Sequence, residues 1–138
     1  MRVKDLMSRS PITVLPDTPV LDARRLMQER RVRHLLVLED GRLAGIVTDR
    51  DIRLNLPSPA TTLSVWELNY LLARLTVAEV MTKSVIVVEP TRGAREAVAI
   101  LLGEKIGALP VVDEGFVVGI VTETDFLRAF AENVLPAI

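Results

Sequence analysis

The sequence predicts an α+β fold made from two copies of one β-α-β-β-α unit, and three observations predict it. The stretch Gly45-Ile46-Val47-Thr48-Asp49-Arg50-Asp51 returns as Gly119-Ile120-Val121-Thr122-Glu123-Thr124-Asp125, 74 positions further on. The same offset holds without a gap from Val3 to about Arg53, through Val3/Val77, Met7/Met81, Ser10/Ser84, Ile12/Ile86, Val14/Val88 and Pro16/Pro90. A register of that length is an internal repeat. Within each copy, short runs of β-branched residues alternate with stretches whose apolar residues recur at helical spacing.

Each element can be justified in order. Ile12-Thr13-Val14 and Ile86-Val87-Val88 predict short strands. Thr18-Pro19 predicts a helix start, a cap followed by proline at the first helical position. Val20, Ala23 and Met27 then form one stripe, with Arg24, Arg25 and Arg31 elsewhere on the helix. The second copy opens this helix with the weaker Arg92-Gly93. His34 to Leu38, Asp40-Gly41 and Leu43 to Val47 predict a hairpin, repeated around Glu114-Gly115. The strands are nearly continuous apolar runs, Leu35-Leu36-Val37-Leu38 and Pro110-Val111-Val112, which implies cover on both faces. A helix follows each Thr-x-x-Asp.

Between the copies, Leu56-Pro57-Ser58-Pro59-Ala60 reads as a loop, and Ser64…Glu67 as a capping box for a helix running to about Arg74. Val65, Leu68 and Leu72 make one stripe of that helix; Trp66, Tyr70 and Ala73 make another. The last helix likewise carries Phe126 and Phe130 on one stripe and Leu127, Ala131 and Val134 on a second. The aromatic residues Trp66, Tyr70, Phe126 and Phe130 either fill core or form a subunit interface, because a helix apolar on two sides must bury both. The organisation is therefore repeat 1 over 1–56, a linker loop and helix over 57–76, and repeat 2 over 77–138. A copy of about 50 residues buries too little surface to be comfortably stable alone. The two are expected to pack about a pseudo-twofold axis, leaving two equivalent clefts, each opened by one Thr-x-x-Asp.

Composition narrows the function. With 49% hydrophobic and 25% charged residues the chain reads as globular. No apolar run approaches the length of a membrane span, and the start has no apolar signal region. The absence of cysteine excludes disulfides and fits a cytoplasmic protein. A net charge of −1 gives no reason to expect nucleic acid or an anionic membrane. With one histidine, no nucleophile–His–acid set, no metal cluster and no Walker-type glycine loop, an enzyme is the weakest of the readings.

Thr48…Asp51 and Thr122…Asp125 carry the chemistry. Taken alone, each is a helix cap, with Asp in place of the more usual Glu. A strand running directly into a helix also presents free N–H groups and the positive dipole end, which suits a phosphate. Two copies in register add that second reading without displacing the first.

These residues resemble a family, the CBS domain, named after cystathionine beta-synthase; two in tandem form a Bateman module. The resemblance covers nearly the whole chain. It rests on the duplicated Val-x-(Asp/Glu)-(Leu/Val)-Met-(Ser/Thr) opening, the Arg33-His34-Leu35-Leu36-Val37 and Gly107-Ala108-Leu109-Pro110-Val111 strands, and the twin Gly-Ile-Val-Thr-x-x-Asp endings. The Pro-Ser-Pro-Ala loop and Ser-Val-Trp-Glu helix also resemble those of small stand-alone prokaryotic pairs, including acetoin-utilisation-type proteins. The resemblance implies an adenosine nucleotide (AMP, ADP, ATP or S-adenosylmethionine) as ligand and no required cofactor. It implies that Asp51 and Asp125 hold ribose hydroxyls and that Thr48 and Thr122 meet phosphate or ribose. Backbone around Ile12 and Ile86 would face adenine, with Ser10, Ser84 and Pro110 in the same sites. The first copy carries Arg33, His34 and Arg50 where the second has Gly107, Ala108 and Thr124, so the phosphate is expected to be held better in the first. Leu36 stands where the family often has proline. The function implied is a ligand-sensing regulatory module acting through an unidentified partner protein or a homodimer. The competing expectation is a ligand-free dimerisation scaffold.

Overall fold

The computed structural model describes residues 1–58 and 62–132. Pro59, Ala60 and Val134 of the loop and stripe above lie outside them. In chain order the elements are α1 (Val3–Leu6), β1 (Thr13–Val14), α2 (Val20–Arg30), β2 (His34–Glu39), β3 (Arg42–Thr48), α3 (Asp49–Asn55), α4 (Val65–Arg74), α5 (Val77–Val80), α6 (Ala94–Glu104), β4 (Ala108–Asp113), β5 (Phe116–Thr122) and α7 (Glu123–Ala131). The class is α+β.

The chain divides into two compact units that differ from the sequence repeat. The central unit is Ile12–Val85; the terminal unit joins Met1–Pro11 to Ile86–Ile138. The opening segment of each repeat therefore sits with the sheet of the other. In the terminal unit, the Val3 and Lys4 amides donate to the Arg92 and Pro90 carbonyls at 2.8 and 2.9 Å, and Ser8 and Ile120 exchange bonds of 2.9 and 3.0 Å. The central unit repeats the pattern. Val77 and Ala78 donate to Thr18 and Pro16 at 2.8 and 2.9 Å, and Thr82 and Ile46 exchange bonds of 2.9 and 3.0 Å.

Each unit has its own apolar core. In the central unit Val14, Val20, Ala23, Met27, Leu35, Val37, Val47 and Ile52 pack with Val77 and Val80 of α5. In the terminal unit Val88, Ala94, Ala97, Leu101, Leu109, Val111, Val121 and Phe126 pack with Val3 of α1. The stripe Val20, Ala23, Met27 is buried as its spacing requires. Leu35, Leu36 and Val37 are consecutive and all at 0% exposure, so both faces of β2 are covered.

The hairpins turn at Asp40-Gly41 and Glu114-Gly115, all four residues at positive φ. That is the two-residue turn whose twist matches antiparallel strands. Both hairpins carry a bulge, at Val37/Leu38 and at Val111/Val112.

Two expectations are corrected. The first long helix begins at Val20 with Pro19 as its cap residue, and Thr18 instead accepts the Leu15 amide at 3.0 Å. Ile86-Val87-Val88 forms no strand. The central sheet has three strands, β1-β2-β3 with β1 parallel to β2, whereas β4-β5 stand as a pair with only an isolated bridge from Val88 to Val111. Leu36 and Pro110 hold the matching positions. Proline has no N–H to give to the neighbouring strand, and one ladder rung is lost.

Gly45 and Gly119 stand where each lead-in crosses the last strand. A Cβ on Gly119 would lie 2.6 Å from the Ser8 carbonyl and 2.8 Å from Met7 Sδ; on Gly45 it would lie 2.8 Å from the Thr82 carbonyl. Gly119→Ala is expected to destabilise by about 1–3 kcal/mol, as overpacking does. Gly103→Ala, within α6 and with nothing near its Cβ, is expected to stabilise by up to about 1 kcal/mol. Urea unfolding checks both, and equal shifts in the same direction would refute the lead-in contact.

Candidate functional site

The two Thr-x-x-Asp motifs lie where a strand ends and a helix begins. In the central unit, β3 ends at Thr48 and α3 starts at Asp49 without an intervening loop. The Thr48 amide donates to Asp51 Oδ2 at 2.9 Å, and the Asp51 amide donates to Thr48 Oγ1 at 3.0 Å. The capping reading is thus realised in full. Asp51 Oδ2 carries one bond, and a carboxylate has about four acceptor positions.

The same end of this sheet gathers the other candidates of the central unit. His34 at the start of β2 pairs with Thr48 at the end of β3. The Asp49 amide donates to the Arg33 carbonyl at 3.0 Å, and the Leu36 amide donates to the Ile12 carbonyl at 3.1 Å. Ile12, Arg33, His34, Thr48, Arg50 and Asp51 therefore line one rim. It spans two strand spacings, about 10 Å. Arg33 and Arg50 are exposed; Ile12, His34, Thr48 and Asp51 are half-buried.

The terminal unit builds a counterpart with different chemistry. Ala108 pairs with Thr122, and the Glu123 amide donates to the Gly107 carbonyl at 3.0 Å. Asp125 Oδ2 accepts both the Thr122 amide at 2.8 Å and the Thr122 hydroxyl at 3.2 Å. Asp125 Oδ1 lies 3.7 Å from the exposed guanidinium of Arg128. Asp125 is therefore more fully engaged than Asp51. Ile86 and the buried Pro110 are on this unit, and no arginine replaces Arg33 or Arg50.

Ser10 and Ser84 fall differently from their sequence neighbours. Ser10 belongs to the terminal unit and Ser84 to the central one, so neither shares a compact unit with the isoleucine two positions on. Both serines are exposed.

Sequence reasoning missed the Arg53–Asp49 ion pair at 3.0 Å and the approach of Arg128 to Asp125. Their i,i+4 and i,i+3 spacing was the available signal. It also missed that the Leu36 amide takes up the Ile12 carbonyl.

The aromatic candidates separate. Trp66, Tyr70 and Phe130 are 84%, 57% and 56% exposed, so they fill no core of their unit. The Arg74 guanidinium stacks 3.6 Å from the Tyr70 ring centre. Phe126 is the correction: at 7% exposure it belongs to the terminal core, because the α7 face that meets β5 is the one it occupies. Leu63, Trp66, Glu67, Tyr70 and Leu71 line a shallow groove on α4 that holds none of the nucleotide-site candidates. Among the described residues no His, Asp and Glu cluster is placed to hold a metal, and no helix is long and apolar enough to cross a membrane.

With this geometry in hand, the chain compares closely with known proteins. The family model described as CBS domain matches residues 3–58 and 77–132. A putative acetoin utilization protein (AcuB) from Vibrio cholerae superposes with a TM-score of 0.79 at 32% identity, over 97% of this chain and 92% of that one. The CBS domain pair of protein MJ0100, solved with 5'-methylthioadenosine and S-adenosyl-L-methionine, gives 0.79 at 27% identity, over 96% and 98%. CBSX2, solved with AMP, gives 0.78 at 32% identity, over 97% and 98%. The chain belongs to the CBS-domain family and carries two CBS domains in tandem.

Proposed function

We propose that this protein is a regulatory sensor that binds an adenosine nucleotide at the Thr-x-x-Asp junction of its units and acts through a partner protein or its own oligomer. The observation that carries the proposal is the duplicated placing of a threonine and an aspartate where strand meets helix, with the Ile12 carbonyl bonded to the same sheet in the central unit. Similar CBS pairs that hold AMP, or methylthioadenosine and S-adenosylmethionine, support the same ligand class.

The chemistry is adequate. The carboxylates of Asp51 and Asp125 accept from the cis-diol of a ribose, and Thr48 and Thr122 stand beside them for phosphate or ribose. Ile12 and Ile86 backbone meets the adenine, with Ser84 or Ser10 and Pro110 completing the walls. Arg33, His34 and Arg50 favour a phosphate in the central unit. Micromolar affinity needs about −8 kcal/mol. Charge-assisted bonds of roughly 1.5–3 kcal/mol each, with adenine burial, reach it. A signal follows only if the ligand binds one conformational state better than another.

Asp51→Asn and Asp125→Asn keep an oxygen for the cap amide and remove the charge. Folding stability is expected to change by about 1 kcal/mol or less, while AMP affinity falls about tenfold or more at the altered site. Calorimetry and thermal melts separate the two effects. Unchanged affinity in the double variant would leave only the capping role.

A specific observation also supports assembly. Trp66, Tyr70 and Leu71 are exposed together on α4, and a dimer would bury them. Sedimentation is expected to show a homodimer that Trp66→Glu converts to monomer without loss of the fold. A wild-type monomer at tens of micromolar would end this part of the reading. A dimer that binds no adenosine compound would leave a scaffold.

A further inference from the structure

Helix α4 borders two hollows of opposite charge. One is the shallow groove that carries Glu67 beside Trp66 and Tyr70. The other is a cavity of about 260 Å³ between Leu21 and Arg24 of α2, Leu56 and Pro57 after α3, and Leu68 and Leu72 of α4. The remaining lining residue, Ser58, is exposed and carries no charge. The five apolar walls are half-buried and α4 has no buried residue, so α4 packs on α2 without closing the space. Arg24 is the one charge on the lining. It is exposed and, among the described residues, pairs with no carboxylate, whereas the adjacent Arg25 lies 3.9 Å from Asp22. The repeat does not call for an arginine there, since Val98 holds the matching position of α6.

We propose that this cavity is a second ligand site, independent of the nucleotide reading, and that it takes a linear carboxylate of about eight carbons. The leucines and Pro57 remove the alkyl chain from water. The Arg24 guanidinium, a planar fork of donors, meets the carboxylate at the mouth. Volume sets the length. At about 30 Å³ for each non-hydrogen atom, the share of a molecule in liquid water, the space holds about eight or nine. The groove with Glu67 repels the same head group, so charge assigns the ligand to one hollow and not the other. A ligand seated in the cavity touches α2 and α4 together.

Calorimetry of the full chain with octanoate, hexanoate and octanol tests the assignment. Octanoate is expected to bind at one site, about tenfold tighter than hexanoate, which buries two fewer methylenes. It is expected to bind about tenfold tighter than octanol, which lacks the charge. Arg24→Gln, at an exposed position, is expected to lower octanoate to the affinity of octanol and to leave octanol and AMP as they were. Leu68→Phe, which fills the cavity, is expected to abolish binding of both chains; should it not fold, Arg24→Gln decides alone. No binding of octanoate, several octanoates per chain, or equal affinity for octanoate and octanol overturns the proposal. So does an octanoate affinity unchanged in Arg24→Gln, or one lost in Trp66→Glu and kept in Leu68→Phe, which would place the chain in the other groove.

Discussion

Each lead-in of this chain is held at a glycine. Ser8 with Ile120, and Thr82 with Ile46, exchange two backbone hydrogen bonds apiece beside Gly119 and Gly45. These bonds bring α1 and α5 down onto the open ends of the two cores, where Val3 and Val77 are fully buried. A side chain at either glycine would intrude on the carbonyl of the incoming strand, and backbone cannot yield as a flexible side chain can. The glycine is therefore required for close approach, at ordinary strand dihedrals, and its freedom at positive φ is not used. Without this contact each sheet would leave its core open to water at the edge.

The same strand continues from that glycine to the rim of the candidate site. From Gly45 to Thr48 the chain runs Ile46, Val47, Thr48, and from Gly119 it runs Ile120, Val121, Thr122. Val47 and Val121 are at 0% exposure, pinning the strand into its core one residue before the hydroxyl. The side chain before it meets the lead-in region and the one after it starts a helix. Position along four residues thus sets core, pairing edge and rim at once, and none can move without the others.

Much of this was legible because it is local. The apolar run of β2, the Asp40-Gly41 turn, the Val20–Ala23–Met27 stripe and the Ser64…Glu67 box each act over a few residues, and each appears as read. The exchange of lead-ins was not legible. Val3 to Met7 and Val77 to Met81 present nearly the same side chains, so either lead-in satisfies either core by composition. Only chain geometry decides which one docks. The missing strand before Val88 was legible in principle, since Pro110 announces it, but the apolar run Ile86-Val87-Val88 outweighed it. Pattern reading counts side chains, whereas this strand fails for want of an amide hydrogen. Phe126 was misplaced for a similar reason. On α7 its stripe partner Phe130 is exposed, and spacing alone does not say where along a stripe the core ends.

The two carboxylates show why capping and ligand binding need not compete. Asp51 devotes Oδ2 to the Thr48 amide, and the bond closes the first turn of α3. That bond fixes the rotamer of the side chain, so its remaining acceptor positions are aimed before any ligand arrives. A free aspartate would lose that rotamer freedom on binding; here folding has already imposed the order. Asp125 goes further, taking the Thr122 hydroxyl as a second donor on the same oxygen and lying near Arg128 through the other. In the proposed site a diol at Asp125 draws the carboxylate away from a screened, exposed cation, which costs little. Among the described residues no cation pairs with Asp51, and the exposed Arg33 and Arg50 of the same rim are the groups proposed to meet an anion on the ligand. In the proposed site the cap is thus the preorganising element. The units share the cap amide bond to the carboxylate and differ in the second donor and the charges around it.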